Sequence, residues 1–429
     1  MRSILVKAAS AAVLFLASGI AAEAKYPDQD SLGVNSNIRD YVEEVGFYQK
    51  ANRDLGDPRF MWSDADGKID FGIGGMAKIS TFYGFGGEAA DNSFKPSSIA
   101  IPNDLSGRYS MSVDDTELHF KVRTEIQGHK VGAFIKIGAN YDKEIKLKQA
   151  YISLDNFSIG LIPSFFTDLE VGVMTTGVGL SSQVGMTHPL LGYTFRPSEK
   201  LSIATAIEWP KLDLDHYDGV GIKTSYQPVP DIAGHFKFRW KNGHVQFGAV
   251  VRNLTYDAVE SGFSGGDEGA LHHQHSFGYG ISLSGNYRPV PKLKLSWETT
   301  GGRGYSDYLE NLSDLNLNLG IRDALGSKYP TMSSIPAHSD QIAVQYDFSK
   351  AFSSSVVLSY THCKERKHVS RYDDFCESYS ALANFFWNID DYSYIGFEYL
   401  FGTRKIYPDP NKPDFGHAHR IAAVLAYCF

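Results

Sequence analysis

From Lys68 onward the chain repeats one unit, a run of about ten residues with alternating polar and apolar side chains followed by a break. Alternation of period two marks a half-buried strand, because successive side chains point to opposite faces. The breaks alternate between tight and long. The tight ones are 127–130, 155–156, 197–200, 241–244, 289–292, 349–351 and 388–391, with turn chemistry such as Asp155-Asn156 and Lys241-Asn242-Gly243. The long ones centre on 87–107, 141–144, 163–187, 210–230, 257–271, 305–337, 366–372 and 406–414. Seven turns and eight loops predict sixteen antiparallel strands, with turns at one end and loops at the other. Residues 219–227 could add a seventeenth strand, but the even number that a closed bacterial barrel requires assigns them to a loop.

Both chain ends add to this picture. Ile421, Ala423, Leu425, Tyr427 and Phe429 share one face of the last strand, and Arg420, Ala422, Val424, Ala426 and Cys428 share the other. A final Phe with an aromatic two residues before it and an apolar residue two before that resembles the insertion signal of bacterial outer-membrane proteins, so Leu425, Tyr427 and Phe429 form a candidate signal for the β-barrel assembly machinery. At the start, Arg2 and Lys7 precede the apolar run Ala8 to Ile20, and Ala22-Glu23-Ala24 offers an export cleavage site. That run is too short to cross a bilayer as a helix. The expected division is 1–24 signal peptide, 25–67 N-terminal periplasmic segment, and 68–429 transmembrane barrel. Within the second part, Ile38, Tyr41, Val42, Val45 and Tyr48 fall at helical spacing over Ser36 to Asp54, which predicts a short amphipathic helix. The expected fold is all-β, a sixteen-stranded antiparallel transmembrane β-barrel with a short N-terminal helical segment.

Composition fits a wall with one face in lipid and one in water. Mean hydropathy is −0.24, yet the chain holds 25 Tyr and 27 Phe, enough for aromatic girdles at both interfaces. The formal charge of −8 becomes −9 once Arg2, Lys7 and Glu23 leave with the signal, which argues against nucleic acid as a partner. Sixteen strands are wide enough to leave an aqueous channel. Of three cysteines, Cys363 and Cys376 flank a short charged segment and are a candidate disulfide, with Cys428 left over. Asp64-Ala65-Asp66-Gly67 resembles the start of a calcium loop but has Gly75 at the twelfth position, so a turn is expected. His272, His273 and His275 lie in a predicted external loop and lack a matched fourth metal ligand. No metal or other cofactor is expected, and no catalytic motif is present.

Strand phase assigns side chains to lipid or water. Phe236, Phe238 and Trp240 face lipid, leaving His235, Lys237 and Arg239 inside; Leu118, Phe120, Val122 and Ile126 leave Glu117, His119, Lys121, Arg123 and Glu125 inside. Ile145 and Leu147 face lipid, so Lys146 and Lys148 face water, and Lys136, Arg252, Lys294 and Arg420 take the inward phase too. The inward acids are fewer: Glu117, Glu125, Glu208, Glu298 and Glu398. A basic wall raises the local concentration of anions. If the Gly-rich loop 163–187 folds inward, Asp168 and Glu170 would face that wall across a constriction; otherwise they are two solvated acids.

These residues bring the sequence close to a known group. Phe94 to Ile99, Leu147 to Tyr151, Phe166 to Glu170, Gly192 to Phe195, Ala206 to Pro210, Val229 to Asp231 and Gly243 to Phe247 resemble the DcaP-like porins of Gram-negative outer membranes, mainly over 70–255. The resemblance implies a homotrimer of sixteen-stranded barrels passing small organic anions such as carboxylates, and an N-terminal segment able to form a coiled coil. Residues 36–54 lack sustained heptads, and Lys148 stands where arginine is common, keeping charge but losing bidentate recognition of a carboxylate. Rival readings are an outer-membrane barrel enzyme of phospholipase type, which needs a Ser–His pair at the lipid rim, and a barrel-scaffold adhesin or surface antigen, which predicts longer external loops.

Overall fold

Sixteen strands each pair with the next, and the last pairs with the first. In a computed structural model, residues 60–64, 68–87, 94–103, 107–139, 144–176, 183–214, 221–259, 271–323, 329–364, 375–407 and 413–429 are described. The signal peptide and the helix expected at 36–54 lie outside them. The strands are β1 (Ile69–Gly86), β2 (Glu117–Ile126), β3 (His129–Ala139), β4 (Ile145–Leu154), β5 (Phe157–Pro163), β6 (Thr187–Ser198), β7 (Leu201–Glu208) and β8 (Asp231–Trp240). They continue as β9 (Gly243–Val259), β10 (Leu271–Val290), β11 (Leu293–Arg303), β12 (Pro336–Asp347), β13 (Phe352–Cys363), β14 (Phe375–Asn388), β15 (Ser393–Ile406) and β16 (Phe415–Cys428). All seven tight breaks are hairpin connections at one end of this sheet. At the first, Gln127 and Gly128 both take positive φ, 52° and 83°, the combination whose twist matches the flanking strands.

Of residues 219–227, the described ones, 221–227, do not cross the barrel. Ile222–Thr224 forms a short strand against Tyr256–Ala258, extending β9 inside a loop. Asp64 caps the turn before β1, accepting from the backbone N–H of Lys68 and Ile69 at 2.6 and 2.9 Å. The phase assignments hold along β2 and β8: Leu118, Ile126, Phe236, Phe238 and Trp240 are exposed on the outer face, while His119 and Lys237 are buried inside. On β4 a bulge falls at Lys148, because Lys136 pairs with Gln149 and Ile137 with Leu147. The extra residue lets Lys148 and Gln149 both point inward and reverses the phase beyond them.

Closure rests on the two terminal strands. β1 and β16 pair from Met76↔Cys428 to Gly86↔Ala418, and Phe429 exchanges backbone hydrogen bonds with Gly75 at 2.7 and 2.9 Å. A Cβ at Gly75 would lie 2.4 Å from the Glu117 carbonyl oxygen and 2.8 Å from the Phe429 ring, so the close seam requires glycine there. Leu425 and Tyr427 are exposed on the lipid face.

The disulfide expected between Cys363 and Cys376 is not formed. Cys363 instead packs in an apolar cluster with Tyr305, Leu309 and Phe375. The ladder nevertheless steps from Tyr360↔Tyr379 through Thr361↔Ser378 to His362↔Glu377, and the two cysteines are the next residues along these neighbouring strands. Opposed Cα atoms about 4.5–5.5 Å apart are within disulfide reach.

Two outcomes follow. Deleting Phe429 should lower the heat-modifiable, folded fraction recovered from membranes; an unchanged fraction would show that the seam does not direct assembly. Mild copper-catalysed oxidation should yield a linked Cys363–Cys376 peptide in a non-reduced digest, and two separately alkylated peptides would show that the apolar packing of Cys363 prevents closure.

Candidate functional site: the channel and its inward loop

Residues 164–176 fold into the barrel and run along its inner wall. Ser164 Oγ and the Phe165 N–H donate to Glu208 of β7 at 3.0 and 2.9 Å. Asp168 then meets Lys237 of β8 at 3.3 Å, His244 of β9 at 2.7 Å and Ser284 of β10 at 2.7 Å. Glu170 takes Lys237 at 2.9 Å and both terminal nitrogens of Arg239 at 2.6 Å. The Gly172 carbonyl accepts from Lys294 of β11, and the Met174 carbonyl from Asn384 of β14. Thr176 donates to Glu398 of β15 through Oγ1 and N–H at 2.7 and 3.2 Å. Two extended residues cover ~6.6 Å, enough to pass one strand in a sheet spaced ~4.8 Å. The segment is therefore a belt, fastened by these bonds at seven strands between β7 and β15. Its return passes β11, where the Val184 N–H donates to Glu298 at 3.3 Å.

A second inward segment crosses above the belt, at the loop end. Arg252 of β9 is buried between Asp231, which it meets at 2.7 Å, and Asp307. Tyr308 OH donates to Glu208 and Asp231 at 3.1 and 3.0 Å. Three residues on, Asn311 donates to Ser378 of β14 at 2.9 Å and accepts from the Ser97 N–H of the first long loop at 3.0 Å. Arg404 of β15 holds the Ile99 carbonyl of that loop at 3.1 Å.

The basic residues expected on the wall are inside, but most are not bare. Lys136 meets Glu117 at 2.7 Å; Lys148 is shared between Asp115 and Glu117 at 3.2 and 3.6 Å; Lys78 meets Asp115 at 2.7 Å. Lys146 is exposed, 3.9 Å from Glu144. Arg420 is buried, with its guanidinium over the rings of Phe82 and Phe94 at 4.9 and 5.5 Å. Lys121 and Arg123 lie opposite Gly72 and Asp70 of β1 in the ladder.

Asp168 and Glu170 do not face a gap. They turn into the wall and neutralise the cations of β8, which phase analysis cannot foresee because the contact depends on the path of the loop. Glu208, Glu298 and Glu398 were placed correctly on the inward phase, but they anchor the belt instead of lining the channel. Burial alone would raise the Glu170 carboxyl; Lys237, His244 and Arg239 outweigh it and hold it at about 2. Asp168 is likewise held well below the usual carboxylate range by Lys237 and His244 against its burial. Asp115, in the turn before β2, is held low by Lys78 and Lys148 against its own burial.

Asp168, Glu170 and His244 bring metal-ligand atoms within 4.8 Å of one another. Lys237 Nζ contacts both carboxylates, so the chain already supplies the positive charge. His272, His273 and His275 lie in β10, not in a loop, and strand alternation turns His272 to the face opposite His273 and His275. His272 stacks on Tyr329 at 4.8 Å, whereas His273 pairs with Asp257 and His275 lies 3.0 Å from Thr255 Oγ1.

The same fold occurs in solved outer-membrane channels. The outer membrane channel DcaP of Acinetobacter baumannii superposes with a TM-score of 0.71 at 13% identity, covering 86% of this chain and 99% of that one. The chain has the porin fold. An anion-selective porin from Comamonas acidovorans gives 0.53 at 10% identity over 84% of this chain and 100% of that one. The porin-fold match extends to OmpT of Vibrio cholerae in a trimer form, with 0.52 at 9% identity over 84% of this chain and all of that one. No family profile matches the sequence, and no curated protein matches it.

The low Glu170 pKa sets a pH window for belt anchorage. A depressed native carboxyl contributes stability that is fully present above its ordinary value near 4.5 and is lost only as pH falls through about 2. Single-channel closures should therefore stay rare in the native protein from neutral pH into the acid range and rise as pH approaches about 2. Glu170→Gln should raise their frequency several-fold at neutral pH; an unchanged frequency would show that this pair does not restrain the belt.

Proposed function

We propose that this protein is an outer-membrane porin, a homotrimer of water-filled diffusion channels that favour small organic anions such as carboxylates over cations. The observation that carries the reading is the asymmetry of the constriction. The belt covers the wall from β7 to β15 at a level a few residues from the tight turns. Lys121 and Arg123 lie at that same level on β2, three to five residues from the turn after Ile126. The belt's two carboxylates are turned away from them, into the wall of β8 to β10. In the ladder Lys121 stands between Gly72 and Phe134, and Arg123 between Asp70 and Gly132. A cationic patch beside water attracts anions over a Debye length, about 8 Å at physiological salt. Lys148 plays a different part, cross-linking Asp115 and Glu117 within the wall. The trimer is supported by the trimeric form of one structural neighbour and by the apolar outer face of Tyr83, Tyr109 and Met111.

The test is the zero-current potential across a potassium chloride gradient in a planar bilayer. The native channel should favour chloride, increasingly so at low salt, and Lys121→Gln with Arg123→Gln should remove most of that bias. A cation-selective native channel, or a potential unchanged in the double variant, would overturn the assignment of selectivity to these two residues.

A further inference from the structure

Six histidines share one position on the barrel. His273 and His275 on β10, His338 on β12, His362 on β13, and His417 and His419 on β16 all take the outward phase near the loop end, where Phe277, Tyr279, Ile342, Tyr379 and Ile421 are exposed to lipid. The register makes much of this set one continuous row: His338↔His362, His362↔Glu377, Glu377↔Lys405, then Thr403↔His417, Phe401↔His419 and His419↔Phe85 stacked at 4.9 Å. Phe277 lies one outward position below His275, Tyr360 below His362, and Tyr379 below Glu377, each step being ~6.6 Å along a strand. Outward aromatic rings mark the boundary between hydrocarbon and headgroups. The imidazoles therefore stand at headgroup depth, facing lipid.

The fixed charges beside them offset one another. Arg303, Lys364 and Lys405 stand against Asp257, Asp340 and Glu377, with His273 paired to Asp257, His338 2.8 Å from Asp340, and Lys405 3.8 Å from Glu377. Tyr360 OH donates to Glu377 at 3.3 Å, Tyr399 OH lies 2.7 Å from His419 Nδ1, and Asn103 Nδ2 lies 3.0 Å from His417 Nδ1. With those charges balanced, the imidazoles set the sign of the row, which grows positive as they take up protons. The donors are spread over several strands. Among the described residues, the three-ligand convergence a metal needs occurs elsewhere, at Asp168, Glu170 and His244. A line of separate N–H donors suits a line of separate anions.

We propose that this rim, from β10 to β16, binds the phosphorylated headgroups of outer-leaflet lipid, weakly at neutral pH and tightly in mildly acidic medium. Charge complementarity selects a phosphoryl group, and position at the lipid boundary selects a membrane lipid over a soluble anion. The proposal rests on the outer-membrane reading above but not on channel selectivity.

The experiment uses the full-length protein in nonionic detergent with diphosphoryl lipid A as probe, counting bound lipid by native mass spectrometry at pH 7.5 and 5.5. Several-fold more lipid should be retained at the lower pH, and the same lipid stripped of phosphates should show no such rise. A variant with His338, His362, His417 and His419 changed to Gln should lose the pH response while keeping native conductance, which separates this result from the channel reading. Should that variant fail to fold, carbethoxylation of the native protein serves instead and should abolish the response. Equal retention at both pH values, or equal retention of the dephosphorylated lipid, overturns the proposal. So does protection of the row from carbethoxylation in the lipid-free oligomer that is lost on dissociation, since the row would then be a contact between copies of this chain.

Discussion

Everything in this molecule depends on the hydrogen bonds between β1 and β16. In hydrocarbon an unpaired backbone N–H or C=O costs several kcal/mol, so a sheet can cross only if it has no edge. The register from Met76↔Cys428 to Gly86↔Ala418, extended by the Gly75–Phe429 pair, removes both edges at once. Below that seam, where β16 has ended, Phe60–Ser63 pairs with Asp70–Ile73 and covers the remaining edge of β1. Closure at sixteen strands then dictates a cross-section that side chains alone cannot fill.

The empty interior creates the second constraint. Its inward charges need either water or partners, and the belt supplies partners on one side. Glu208 and Glu398 hold its two ends through neutral donors, and Glu298 holds its return, whereas Asp168 and Glu170 carry charge to the cations of β8. Removing one member would leave the other buried and unpaired, which is why such a segment is held in one place.

The parts legible in the sequence are those decided locally. Period-two alternation and two-residue turns depend on neighbours within a hairpin, so all seven turns, the strand count and the lipid face of β8 could be read before any tertiary contact was known. The bulge at Lys148 escaped because it leaves no turn residue behind. The partners of Asp168 and Glu170 escaped for a different reason. Residues 67 to 116 positions apart meet there, and alternation says which face a side chain takes without saying what covers that face. The same limit misplaced the three histidines near 273, where β10 runs on beyond its hydrophobic pattern to headgroup depth.

The belt's one-sidedness joins the two constraints. It starts where β5 ends and is bonded to strands from β7 to β15, so the wall it leaves without a bond to it lies towards β2 to β4. A loop fastened at seven strands between β7 and β15 cannot swing as a lid without breaking several buried bonds together, so it acts as fixed lining. Permeation is then governed by what the opposite wall presents. There the paired network of Lys78, Asp115, Lys148, Glu117 and Lys136 stiffens the sheet at mid-height, leaving Lys121 and Arg123 at the level of the belt. The separation of duties follows from the geometry: one half of the barrel commits its charges to holding the constriction, and the other half carries Lys121 and Arg123, the residues to which we assign its sign.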